Sequence, residues 1–167
     1  MSNNTVKILG IDPGIAITGW GMVNFDGNKC LVDSYGAIIT KADQLIEDRL
    51  GILFNDLNEV IEEFNPTIIA IEKIFYFKNA KTIINVGQAR GVTLLSAKKN
   101  DLVVFEYTPL QVKQSVTGYG RAGKGQIQQM IKNLLNLDEV PTPDDVADAL
   151  AVAYTHSVIN NCMKIKQ

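Results

Sequence analysis

Two stretches of this chain, Ile8-Leu9-Gly10-Ile11 and Thr67-Ile68-Ile69-Ala70-Ile71, are short, nearly free of polar side chains, and each runs directly into a single acid, Asp12 and Glu72. A strand without a polar side has to be covered on both faces, which a sheet carrying helices above and below provides. Each acid is then delivered at the end of a buried strand. An unpaired carboxylate there is expensive, so its presence needs a reason.

The segments around these strands fit the same architecture. After the turn signal Asp12-Pro13-Gly14, strand-like composition resumes from Gly19 to Phe25, Asp26-Gly27 predicts a tight hairpin, and Leu31 to Thr40 is its return strand. From Asp43 to Phe64 the apolar residues Ile46, Leu50, Leu53, Leu57, Val60, Ile61 and Phe64 follow helical spacing until Pro66 stops them. A second helix is expected from about Ala80 to Lys99, then a buried strand from Leu102 to Phe105. Thr108-Pro109 with Gln111 reads as a capping box that starts a short helix to about Thr117, ended by Gly118. Helices over about Lys124 to Leu135 and Pro143 to Asn160 complete the chain. The expected fold class is α/β, with a five-stranded mixed sheet: an antiparallel three-strand meander, then parallel strands, all flanked by helices. At 167 residues the chain suits one domain, with its core over about 6–158 and a short C-terminal tail.

Several function classes drop out on composition. Hydrophobic residues make up 46% and charged residues 20%, which argues against disorder or a fibrous repeat. No run approaches the roughly 18 apolar residues of a membrane span, and the N-terminus has no basic and apolar leader pattern, so a soluble, cytoplasmic protein is expected. With only Cys30 and Cys162 and a single histidine, neither a disulfide framework nor a zinc site of the Cys/His type is expected. A metal here would be held by oxygen.

The formal net charge of −2 conceals a divided molecule. Between Lys73 and Lys132 stand ten basic residues against two acids, a balance of +8, and the other 107 residues sum to −10. Phe75, Tyr76, Phe77 and Tyr119 are interleaved with the cations. Aromatics that stack on bases beside cations that meet phosphates suit a nucleic-acid partner. Candidate contacts are Lys73, Phe75, Lys78, Lys81, Arg90, Tyr119 and Arg121, set against the plainer reading of lysines and arginines that solvate helix faces.

The acids supply the chemistry. Asp12 and Glu72 end strands, and Asp145 and Asp148 lie three residues apart on one face of the last helix. In a sheet with parallel strands such ends converge with adjoining crevices. Four carboxylates meeting there would repel one another unless a divalent cation neutralised them. Magnesium prefers oxygen ligands, and a metal pair can clamp the attacking and leaving oxygens of an in-line displacement. Phosphodiester hydrolysis follows as the candidate reaction. Plainer roles compete: Asp12 before Pro-Gly suits an Asx-type turn, and Asp144 and Asp145 suit the first turn of a helix, the preferred reading for Asp144. Gly118-Tyr119-Gly120-Arg121-Ala122-Gly123-Lys124 imitates a nucleotide-binding P-loop, but Gly125 stands where a hydroxyl is needed and a helix is expected where a strand should precede it.

In combination, these residues resemble the RuvC-type Holliday-junction resolvases. The resemblance rests on Ile8-Leu9-Gly10-Ile11-Asp12-Pro13-Gly14 with Thr18-Gly19, Ala70-Ile71-Glu72, Phe75 with Lys78-Asn79-Ala80, Gly87-Gln88-Ala89-Arg90-Gly91-Val92, Phe105-Glu106-Tyr107, Gln111-Val112-Lys113-Gln114, Lys124 with Gln126, and Asp145 with Asp148-Ala149-Leu150. It implies a ribonuclease-H-like fold, a homodimer, and magnesium-dependent paired nicking of opposed strands at a four-way DNA junction in homologous recombination and repair. By position, Asp12, Glu72, Asp145 and Asp148 become the metal-binding catalytic acids, and Lys113 and Lys124 hold the scissile phosphate. Phe75 stacks on unpaired bases, and the helix of Gly87 and Gly91 lies at the dimer two-fold. Ile15, Ala16 and Lys73 depart from the usual pattern, with Ile15 and Ala16 standing where many relatives carry a small hydroxyl and a basic residue.

The expected mechanism uses two magnesium ions per site, bridged by Asp12, with manganese as a substitute, and leaves 5′-phosphate ends. A branch-migration motor complex is a further candidate partner. The alternatives are a junction-binding scaffold without catalysis, against which the four intact acids argue, and a related nuclease acting on structured RNA; an ATPase of the actin and sugar-kinase class needs two such domains around a nucleotide, and this chain has length for one.

Overall fold

The computed structural model describes residues 5–74 and 80–164, the side chains of 80–82 and 161–164 excepted. Strands β1 (Val6–Asp12), β2 (Ile17–Phe25) and β3 (Cys30–Ile39) form the antiparallel meander. Helix α1 (Ile46–Phe64) leads into β4 (Ile68–Glu72), and α2 (Ala80–Lys99) into β5 (Val103–Tyr107). Three helices follow: α3 (Pro109–Thr117), α4 (Lys124–Leu134) and α5 (Asp144–Lys164). The sheet order is β3-β2-β1-β4-β5, with β4 parallel to both β1 and β5. The expected five-stranded mixed sheet is present.

Local chemistry accounts for the element ends. The β2–β3 turn is tied by Asp26 Oδ1, which accepts from the Asn28 and Lys29 amides at 2.8 and 2.7 Å, with Gly27 at φ +96°. Thr108 Oγ1 accepts from the Gln111 amide at 3.1 Å while Gln111 Oε1 accepts from the Thr108 amide at 2.8 Å, the expected capping box. Helix α1 begins at Ile46, three residues later than the spacing suggests, because the Lys41 amide donates to Gln44 Oε1 and folds 41–44 into a turn. Strand β5 begins one residue later and reaches Tyr107, since Asp101 takes φ +54° and the Leu102 amide stays bonded to the carbonyl of Ala97.

The central strands β1, β2 and β4 are buried on both faces, whereas β5, expected to be a buried strand, lies at the sheet edge and leaves Val103 and Phe105 58% and 40% exposed. Leu9, Ile11, Met22, Ile69 and Ile71 pack toward Leu53, Leu57 and Ile61 of α1, and Ile8, Val23 and Ala70 pack toward Val112, Ile131, Val146 and Leu150 of α3, α4 and α5. Alternation along β1 and β4 thus puts Ile8, Gly10 and Asp12, and Ile68, Ala70 and Glu72, on the face covered by α5. Helix α5 rests unusually close to that face. A Cβ at Gly10 would fall 2.0 Å from the Ala149 carbonyl oxygen, so backbone meets backbone there. Ala149 and Ala153, which meet Gly10, keep the helix close against the strands.

Candidate active site

Asp12 is the last residue of β1 and Glu72 the last of β4; their parallel register pairs Ile11 with Ile71 and leaves the two acids at neighbouring strand ends. Asp145 and Asp148 occupy the first turns of α5, beside them on the same face. Lys113 projects from α3, and Lys124 opens α4, where Gln126 Oε1 accepts from the Gly123 amide at 2.9 Å. Asp12, Glu72, Asp148, Lys113 and Lys124 surround one cleft of about 310 Å³, with Ile11, Val112, Ile127 and Ala151 forming an apolar floor. Asp145 faces a neighbouring cavity beyond the Gly14–Ile17 turn. That turn is pinned by Thr18, whose hydroxyl donates to the Gly14 carbonyl at 2.7 Å.

Burial and mutual repulsion dominate the electrostatics. Desolvation pushes the Asp12 carboxyl up to about 7, and Asp148, Asp145 and Glu72 push the same way against Lys124. Glu72 rises to about 7 through desolvation and Asp148, with Lys113 opposing. It stands exposed at the lip of the cleft, so water screens part of that effect. Burial also raises Asp145 and Asp148. Lys124 answers this charge: its Nζ lies 2.5 Å from Asp144 Oδ2 and 3.1 Å from Asp148 Oδ2. Burial alone would lower its pKa, but these two carboxylates hold the ammonium charged.

Among the described residues, no three Asp, Glu, His or Cys side chains stand ready to share one ion. The chemistry of the donors nevertheless fits a hard divalent cation: four carboxylates stand about the ends of β1 and β4 and the start of α5, three of them raising the pKa of Asp12. A cation would relieve the repulsion that the sequence pattern implies.

The family model of the crossover junction endodeoxyribonuclease RuvC matches residues 8–156, a span that contains every element of this site. The chain belongs to the RuvC family. Curated members from Ruminiclostridium cellulolyticum and Alkaliphilus oremlandii are 57% and 55% identical to it, covering 89% and 92% of this chain and 90% and 94% of their own. The solved structure of a Thermus thermophilus RuvC in complex with Holliday junction substrate superposes with a TM-score of 0.89 at 33% identity, over 95% of this chain and 96% of that one. A yeast mitochondrial Holliday junction resolvase, at 15% identity and a TM-score of 0.64 over 97% of this chain and 86% of that one, shares the fold. The ribonuclease-H-like α/β fold expected of a RuvC protein is therefore the fold found.

The other candidate residues divide into groups. Phe75 and Lys78 lie outside the described residues, as does the side chain of Lys81. Lys73 and Arg121 are exposed, and Tyr119 is 58% exposed in the loop leading to Lys124. Arg90, expected among the DNA contacts, turns inward instead. Its side chain is 13% exposed, ion-paired with Glu106, and its Nη1 donates to the Glu72 carbonyl at 3.0 Å. A guanidinium held this way braces the end of β4. Gly87 and Gly91 both face open space, since a Cβ on either would meet nothing within 4 Å among the described residues. Packing against those residues is not what they serve.

Sequence reasoning misses two features. The helix dipole accounts for only part of Asp144, which also grips Lys124; the Asp144 and Asp148 spacing of four, which presents two acids to one cation, is the available signal. The close seat of α5 is announced by Gly10 and Gly19 inside strands, where glycine marks backbone approach. The P-loop imitation is settled by structure: helix α3 precedes it, and Gly118 caps that helix at φ +72°.

Proposed function

We propose that this protein is a structure-selective, magnesium-dependent endodeoxyribonuclease that resolves four-way DNA junctions in recombination and repair, acting as a homodimer that nicks two opposed strands. The observation that carries the reading is one cleft in which Asp12, Glu72 and Asp148 face Lys113 and Lys124 at the ends of parallel strands. Carboxylates alone would repel a phosphodiester, and the lysines alone would only bind one.

Within the cleft, the ammonium groups of Lys113 and Lys124 donate to non-bridging oxygens of the scissile phosphate. Asp144 and Asp148 keep Lys124 aimed there. Asp12, Glu72, Asp145 and Asp148 would hold two magnesium ions, which supply an activated water and stabilisation of the leaving oxygen. The apolar floor limits competing water. The water oxygen bonds to phosphorus and gives up a proton to solvent, the bond from phosphorus to the 3′ oxygen breaks, that oxygen takes a proton from solvent, and the products are a 3′-hydroxyl and a 5′-phosphate. Manganese, which accepts the same oxygen ligands, is expected to substitute.

Support for the dimer comes from α2. Ile84, Gly87, Gly91 and Leu95 recur at helical spacing on a face with no partner among the described residues, and Ile84 and Leu95 are 60% and 54% exposed. Glycines four apart let a second copy of the helix approach closely. Junction resolution requires two such sites, one for each strand cut.

The decisive test is a synthetic mobile junction incubated with the protein and magnesium, with nicks mapped on all four strands. Symmetric nicks in two opposed strands, sealed by ligase without further processing, are expected. Equal cutting of linear duplex, or a preference for structured RNA, would overturn the reading. Contact with a branch-migration motor rests on the resemblance alone.

A further inference from the structure

The cavity beside Asp145 is not used by the chemistry above. Its walls are the Gly14–Ile17 turn, Asn85 and Val86 of α2, Arg49 of α1, and Asp145, and its volume is about 310 Å³. Arg49 is strung on a short relay: its Nε donates to Thr40 Oγ1 at 2.8 Å, and that hydroxyl donates to the Ile15 carbonyl at 2.5 Å. Thr40 is buried, and its amide donates to the Ala16 carbonyl at 3.1 Å, so the relay is fixed to the turn that follows Asp12. An arginine has five N–H donors in a rigid fork, and only one is engaged here. Among the described residues, Arg49 makes no ion pair and neither of its Nη atoms has a hydrogen-bond partner. A guanidinium without an ion pair there, held by a neutral anchor beside an open cavity whose one acid, Asp145, is assigned above to the metal, is suited to an incoming anion.

The position of the cavity says which anion. It adjoins the cleft through the Asp12 turn on one side and through Asp145, one helical turn before Asp148, on the other. For a strand whose scissile phosphate lies between Lys113 and Lys124, the anion that would enter a cavity adjoining the cleft in this way is the next backbone phosphate. We propose that Arg49 is a phosphate-binding residue of the site, which receives the backbone phosphate adjoining the one that is cut and fixes the direction of the strand across Asp12. This rests on the reading of the cleft as a DNA nuclease site.

The test measures binding of a four-way junction to the full-length Asp12→Asn protein, uncut, over a range of salt concentrations. Adding Arg49→Gln is expected to weaken binding on the order of ten-fold. It should also flatten the slope of log affinity against log salt by about 0.9 for each phosphate that is no longer neutralised. Arg49→Lys should restore most of the slope. Ala16→Glu, which leaves Arg49 intact and sets an acid at the exposed rim of the same cavity to repel the incoming phosphate, should weaken binding too. An Arg49→Gln slope equal to that of its parent, or Ala16→Glu binding unchanged, would overturn the proposal. If the Asp12→Asn parent showed no preference for the junction over linear duplex, the nuclease reading itself would fall instead.

Discussion

A Cβ on Gly19 would fall 2.0 Å from the carbonyl oxygen of Asp145. Gly19 is the cross-strand partner of Asp12, so the same strand pair carries the first acid and leaves room for the helix that brings the third. The clash would be with helix backbone, which no side-chain rotation relieves. Gly19→Ala is therefore expected to destabilise the protein by about 1–3 kcal/mol, as overpacking does, or several degrees in Tm for a domain of this size. It should also slow cleavage, because α5 can yield only by carrying Asp145 and Asp148 away from Asp12. An unchanged Tm with full cleavage would show that the close seat of α5 is unimportant.

The repulsion among the acids has a signature in pH. Asp12 rises on folding from 3.8 to about 7, through desolvation first and then Asp148, Asp145 and Glu72. The folded protein thus holds this proton more tightly than the unfolded chain. That stabilising contribution is present below the unfolded pKa and is lost as pH rises toward 7. With divalent ions chelated, Asp12→Asn should have a higher Tm than the parent at about pH 8, and the difference should shrink as pH falls to about 5. Magnesium should raise the Tm of the parent more than that of the variant at the higher pH. Thermal melts at both pH values decide it, and a difference that does not vary with pH would refute the burial of this charge.

Lys124 offers a separation between catalysis and stability. Its ion pairs with Asp144 and Asp148 involve side chains that are 55%, 52% and 33% exposed, so they are worth at most about 1 kcal/mol to the fold. Aimed at developing charge on a phosphate, the same ammonium is worth far more. Lys124→Ala is expected to lower the single-turnover cleavage rate by about 10²–10³ with little change in Tm. Asp144→Asn should cost only a few-fold, because Asp148 still holds the lysine. Comparable losses in the two variants would mean that Asp144 belongs to the reacting centre.

Much of this is legible in the chain. The apolar run ending at Glu72, the capping box at Thr108 and the Asp26-Gly27 turn are local signals whose physics does not depend on what packs against them, and all three stand as read. The ion pair of Arg90 is not legible in the sequence, because a cation in a basic segment looks the same whether it meets a phosphate or a carboxylate. Glu106, its partner, is 16 residues away on a neighbouring strand. Asp144 is half-read, since a first-turn acid serves the helix dipole locally and only the fold reveals the lysine that closes on it.

Arg90 can be tested directly in its bracing role. Removing it frees the Glu72 carbonyl and leaves Glu106 without its partner. Arg90→Ala should slow cleavage about ten-fold, a cost on the scale of one charge-assisted hydrogen bond, while junction affinity and its salt slope stay at the parental values. A flattened salt slope would place Arg90 on a phosphate after all.

The exposed face of α2 yields a contrast of signs. Gly91 lies mid-helix with open space around its Cα among the described residues, and a helical glycine costs up to about 1 kcal/mol against a better helix former. Within one chain, Gly91→Leu should therefore leave stability unchanged or improved. Across a two-fold in which Gly87 and Gly91 meet their copies, the added side chain would wedge the helices apart. Gly91→Leu is expected to shift the mass measured by light scattering from two chains toward one, with Tm measured at low protein concentration not reduced. The paired nicks should become uncoupled, so that single-nicked junctions accumulate before resolution. A variant that remains dimeric and cuts both strands together would move the interface to another face of the molecule.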